Sequence, residues 1–200
     1  MPISFKEETT GANQYIRVHT PQNRWRIVNY EKEEIEFDVS KGMAIDIKNV
    51  TFGWLAIDKG FRDWQPWPSP SQRTTKPEGA VEYKNGFEVE VYVPKHGHAT
   101  FSSNTGALGN FIAAVYNRVE NEAEFSTGKV PVVKVTGSSP IVTATGNTTY
   151  DIGFVVDKWI EMPSKEESES TPVSQKAEEE KQVETSTADK DEDFLDRKST

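Results

Sequence analysis

The chain has 200 residues, 34% of them apolar, a formal net charge of −9 and no cysteine. That length suits one domain with appendages, and the missing cysteines exclude disulfides, thiolate chemistry and Cys-based zinc sites. No apolar run approaches the roughly 20 residues of a membrane-spanning helix, and "MPISFKEETT" lacks the basic-then-apolar pattern of a secretory signal. The expectation is a cytoplasmic protein without a membrane partner.

The body reads as β-rich. "YIRVHT" (15–20) and "RWRIVNY" (24–30) are short runs of β-branched and aromatic residues, separated by the turn signal "PQN". "EIEFDV" (34–39) alternates strictly, which predicts a strand with Ile35, Phe37 and Val39 on one face. "MAIDIKNVTFGWLAID" (43–58) alternates through Ile45 and Ile47 and then loses phase near Asn49, as one bent strand or two strands with a bulge would. "GFEVEVYVP" (86–94) places Phe87, Val89, Val91 and Val93 on one face, and "KHGH" (95–98) reads as a polar loop between Val93 and Phe101.

From Thr105 the period changes. Leu108, Phe111, Ile112, Val115, Tyr116 and Val119 recur at helical spacing, predicting one helix over about 105–124. "KVPVVKVTGS" (129–138) and "YDIGFVVDKWI" (150–160) add two strands. With six to eight strands, one helix and no strand–helix alternation, the expected fold is mainly β. An OB-like or related Greek-key antiparallel barrel fits best, and a β-sandwich is the alternative.

Residues 163–200 differ in kind. They hold six Lys or Arg against twelve Asp or Glu, while residues 1–162 hold 17 against 20. Their large apolar residues are Val173, Val183, Phe194 and Leu195 alone, too few to offset ordering, so this segment is expected to be a disordered acidic tail.

Catalytic signatures are missing: no GxSxG, HExxH or P-loop pattern occurs. Of the histidines His19, His96 and His98, the last two lack a suitably spaced third ligand. The expectation is a protein with no enzymatic activity, no cofactor and no metal.

The most informative segment is "GFRDWQPWPSPSQRTTKPEG" (60–79), which shows no regular period and reads as a long loop. Trp54, Phe61, Trp64 and Trp67 offer flat faces to bases, and Lys59, Arg62, Arg73 and Lys76 offer cations to phosphates, the ingredients of single-strand binding. The competing reading is a loop pinned to its own sheet by its rings. "RWR" repeats the ingredients, with Arg24 and Arg26 on one face of a strand and Trp25 on the other, where it reads equally as a core side chain.

Near the end stand Asp191, Glu192, Asp193, Phe194 and Leu195. A β-barrel body followed by an acidic tail bearing an apolar pair resembles the single-stranded-DNA-binding proteins of bacteria and phages. That resemblance implies an OB fold holding single-stranded DNA and a tail that recruits replication or recombination proteins. The chain departs from the pattern in that Asp196–Thr200 follow Phe194 and Leu195. "GWLAIDKGFRDWQPWP", "KVPVVKVTG" and "FVVDKWIEMP" also resemble segments of small proteins carried by phages and prophages. A structural or interaction protein of a virion is the rival expectation and a carbohydrate-binding module a third, and self-association is compatible with each.

Overall fold

The structure is a computed structural model, and it describes residues 14–29, 31–58 and 61–165. The ten strands are β1 (Tyr15–His19), β2 (Arg24–Val28), β3 (Glu34–Glu36), β4 (Met43–Ile45), β5 (Thr51–Asp58), β6 (Phe61–Pro66), β7 (Lys84–Val93), β8 (Gly97–Ser103), β9 (Val130–Val142) and β10 (Thr148–Ile160). One helix, α1 (Gly106–Val119), lies between β8 and β9. All ten strands belong to a single hydrogen-bonded sheet, ordered β10-β9-β4-β7-β8-β1-β2-β3, with β5 and β6 branching off β7.

The branch explains the loss of phase near Asn49. β4 and β5 lie in succession along the same partner: Ala44 and Ile45 pair with Tyr92 and Val91, and Thr51–Leu55 pair with Glu88–Lys84. Between them Ile47–Asn49 make a 3-10 turn, and the Asp46 amide donates to the Glu90 carbonyl at 2.9 Å, keeping the break on the ladder. The interrupted segment releases β5 to carry β6 outward while β4 leads to β9.

The sheet curls about α1 as a half-barrel. Ala107, Leu108, Phe111, Ile112, Val115 and Val119 form the helix's buried stripe, at the spacing an amphipathic helix needs. Phe111 meets Trp25 edge-on at 5.9 Å and Phe154 at 5.6 Å, and Trp25 also packs against Phe101 at 5.5 Å. Trp25, only 1% exposed, is therefore a central core side chain. A full burial of this kind contributes on the order of 3 kcal/mol.

The mainly β expectation with one helix holds. Several finer expectations are corrected. Residues 61–66 are a strand, not part of a long loop, because the antiparallel partner β5 fixes them from Gly53↔Pro66 to Asp58↔Phe61. The helix stops at Val119, and Ala123–Thr127 form a separate 3-10 turn. β3 ends at Glu36 with Ile35 exposed, and Val39 is buried from a 3-10 turn instead. The expected polar loop before Phe101 is mostly strand β8, since His98 and Ala99 pair with Tyr92 and Val91. The barrel was expected to close on itself, yet among the described residues no pairing joins β3 to β10. One joint is parallel: Tyr15 and Ile16 of β1 beside Thr100 and Phe101 of β8.

Candidate functional site

The parallel joint between β1 and β8 spans two residue pairs and then stops. Beyond it Arg17–His19 continue with β2, while Ser102 and Ser103 continue with β7 into the start of α1. This divergence opens a groove of about 740 Å³, whose far wall is the end of the β5–β6 hairpin. Phe101 and Leu108 lie at its apolar base, and Ser102, Asn104 and Thr105 bring polar groups. Tyr15, Ile57 and Phe61 line it while remaining 41%, 50% and 44% exposed.

Two guanidinium groups also line the groove, each tied to a carboxylate. Arg17 pairs with Glu34 and donates to the Tyr15 hydroxyl at 3.3 Å. Arg62 pairs with Glu88 and donates to Ser102 Oγ at 3.3 Å. Asp58 lies in the same lining. The groove thus couples exposed aromatic and apolar side chains with cations whose field is largely balanced.

The residues expected to form a stacking platform divide sharply. Phe61 and Arg62 reach the groove. Trp54 does not: it is 4% exposed, in a cluster with Ala56 and Tyr83 against which Trp67 and Val81 pack. Its ring meets Trp67 edge-on at 5.8 Å, and its Nε1 donates to the Thr74 carbonyl at 3.0 Å. Arg73 lies over both rings, 4.4 Å from the Trp54 centroid and 5.5 Å from that of Trp67. A base could stack on Trp54 only by displacing this cover. Trp54 and Trp67 accordingly pin residues 67–83 to one face of the hairpin.

Trp64 is half-buried on the opposite face, where its ring passes over Gly53. A β-carbon at Gly53 would stand 2.8 Å from that ring and 2.4 Å from the Gln65 carbonyl oxygen, so glycine is required by close approach. Lys76 pairs with Glu82 at 3.5 Å. Arg26 pairs with Glu34 at 2.7 Å and Glu36 at 3.8 Å, and Arg24 is exposed on β2 outside the groove lining. Lys59 and the tail residues Asp191, Glu192, Asp193, Phe194 and Leu195 lie outside the described residues.

One titratable pair locks the pinned loop. The Tyr83 hydroxyl donates to Asp63 Oδ2 at 2.5 Å, and Gln65 donates to the same carboxylate at 3.0 Å. These donors, Tyr83 first, hold the Asp63 carboxyl below its ordinary range, and the Asp63 acceptor raises the Tyr83 phenol above 10.0.

Tyr15, Arg17 and Ile57 were not among the sequence-derived candidates. Nothing local marks them, because the joint that gathers them pairs residues far apart in the chain. Among the described residues no group of three His, Asp or Glu is placed to hold a metal ion, and no helix is long and apolar enough to cross a membrane. No protein-family model matches the chain, nor does any curated protein or solved structure.

Proposed function

We propose that the chain is a sequence-tolerant, non-enzymatic single-stranded-DNA-binding protein of a phage replication or recombination module, using its curled sheet as an OB-type scaffold. The observation that carries this reading is the pair of exposed rings, Tyr15 and Phe61, lining one groove with Arg17 and Arg62. Bases present π-faces whatever their identity, so exposed rings in a groove suit a strand bound without regard to sequence. Ser102, Asn104 and Thr105 supply hydrogen-bonding groups beside them. The platform of Trp54, Trp64 and Trp67 gives way to this groove as the proposed contact surface.

Binding here rests on stacking more than on charge. Arg17 and Arg62 each share their charge with a glutamate, so few counterions are released and the salt dependence is shallow. The acidic tail would compete with DNA and offer Phe194 and Leu195 to a replication or recombination partner.

The test is the fluorescence anisotropy of labelled oligo-dT titrated with protein at low salt. Tyr15→Ala and Phe61→Ala should each weaken binding at least about fivefold, the lower end of a lost base–ring stack. Absence of any anisotropy change for the wild type would overturn the proposal. The rival, a virion structural or interaction protein, is favoured by β10, a 13-residue strand that among the described residues pairs laterally with β9 alone. Under that reading the protein would self-assemble and ignore oligonucleotides.

A further inference from the structure

We propose that the outer edge of β10 is a self-association surface, on which β10 of a second copy pairs antiparallel about a two-fold axis near Phe154. Among the described residues three strands have a single lateral partner: β3, β6 and β10. A free strand edge is a template for another chain, and proteins ordinarily blunt it with brevity, charge or proline. β3 is three residues long with Glu34 and Glu36, and β6 is six residues long and ends on Pro66. β10 runs for 13 residues with no proline, so it is much the longest of the three, and of those devices it carries only charge, at Asp151, Asp157 and Lys158.

The side chains of β10 select the occupant. Ile152, Phe154, Val156 and Trp159 turn toward the core, the alternation stepping once at the bulge between Val156 and Lys158. With that step counted, Asp151 and Lys158 project from the same outer face and stand equally far from Phe154. Both are exposed, and among the described residues neither has an ion-pair partner. Asp157, between them, is already neutralised by Lys134 at 2.7 Å. A two-fold at Phe154 therefore sets Asp151 of each copy beside Lys158 of the other, and Tyr150 opposite Trp159. A strand whose charges complement its own reverse fits a second copy of itself, the isologous geometry of most closed dimers.

After Ile160 the chain crosses inward over the sheet, with Met162 packing on the cluster of Ala44, Val130 and Val132, and Lys165 pairing with Glu90 of β7 at 3.1 Å. It leads away from the β10 edge.

The experiment is sedimentation velocity of the full chain without nucleic acid over a wide concentration range. The expected result is a monomer–dimer equilibrium. Asp151→Lys and Lys158→Asp should each weaken the dimer about tenfold, and the double variant should restore it. Far-UV circular dichroism verifies that each variant is folded. A monomer at every concentration, an open-ended oligomer, or a dimer indifferent to both reversals would overturn the proposal.

Discussion

At Gly53 the chain has no room for a single methyl group. Its prospective β-carbon meets the Gln65 carbonyl at 2.4 Å, Trp64 at 2.8 Å and Pro66 Cα at 2.9 Å, two of them backbone atoms that cannot swing aside. Gly53→Ala should therefore cost about 3 kcal/mol in urea denaturation. Asp63 gives a pH-dependent test. Its pKa is lower folded than unfolded, so its contribution is present above the unfolded value near 3.8 and is lost as pH falls through the lower folded value. Tyr83 works in the opposite sense: with its pKa raised when folded, its contribution is complete below about 10.0 and vanishes as pH climbs through the higher folded value. Asp63→Asn should lower the urea midpoint at pH 7, and the gap from wild type should narrow below pH 3.8; a gap constant with pH would refute the assignment. None of this was legible in "GFRDWQPWP": the sequence shows three rings and a carboxylate, and only the register of β6 on β5 reveals which ring faces which side.

Among the elements, the β5–β6 hairpin and the segment it holds form the clearest unit. Residues 67–83 are anchored by Trp67 against Trp54, by the Trp54–Thr74 hydrogen bond and by Tyr83 on Asp63. Arg73 and Lys76 lie inside that span. Trp67→Ala should consequently make trypsin cut after Arg73 many times faster, while the Lys76–Pro77 bond resists trypsin in either protein, with little change in the burial of the core Trp25. Arg73→Ala should cost about 1 kcal/mol of stability, the value of a partly desolvated cation over aromatic faces. The elements differ in how well they could be foreseen. β7 and α1 were readable because each buries one face with an unbroken period, Phe87 to Val93 and Leu108 to Val119. β6 and β8 were not, since neither alternates cleanly and both take their extended form from strands already in place beside them.

For the whole molecule, the proposed function sets the groove and the acidic residues 166–200 in competition, since both would act on the same DNA. Residues 166–200 contain five Lys or Arg against twelve Asp or Glu. Truncation after Lys165, which keeps the Lys165–Glu90 pair, should tighten oligo-dT binding several-fold at low salt and have no effect at high salt. Unchanged affinity at low salt would refute competition by the tail. Replacing Glu88 by glutamine should likewise strengthen binding and steepen its salt dependence, because Arg62 then loses its ion-pair partner. The groove was half legible: Phe61 and Arg62 stood out in a basic, aromatic window. Tyr15 and Arg17 belong to an N-terminal hairpin that no local pattern connects to it.

The parallel joint of β1 with β8 also sets the order in which the molecule can be made. β1–β2, β5–β6, β7–β8 and β9–β10 each pair neighbours in sequence and need close only short loops. Tyr15 meeting Thr100 closes the long loop between them, and such closures are entropically late. Refolding should thus pass through a stage with Trp25 still outside the core, and the last step should be the seating of the β1–β2 hairpin. Because the groove exists only where those two strands part, the proposed binding site forms at that step and not before. In a stopped-flow refolding experiment, recovery of oligonucleotide binding should follow the slow phase of Trp25 burial and never precede it.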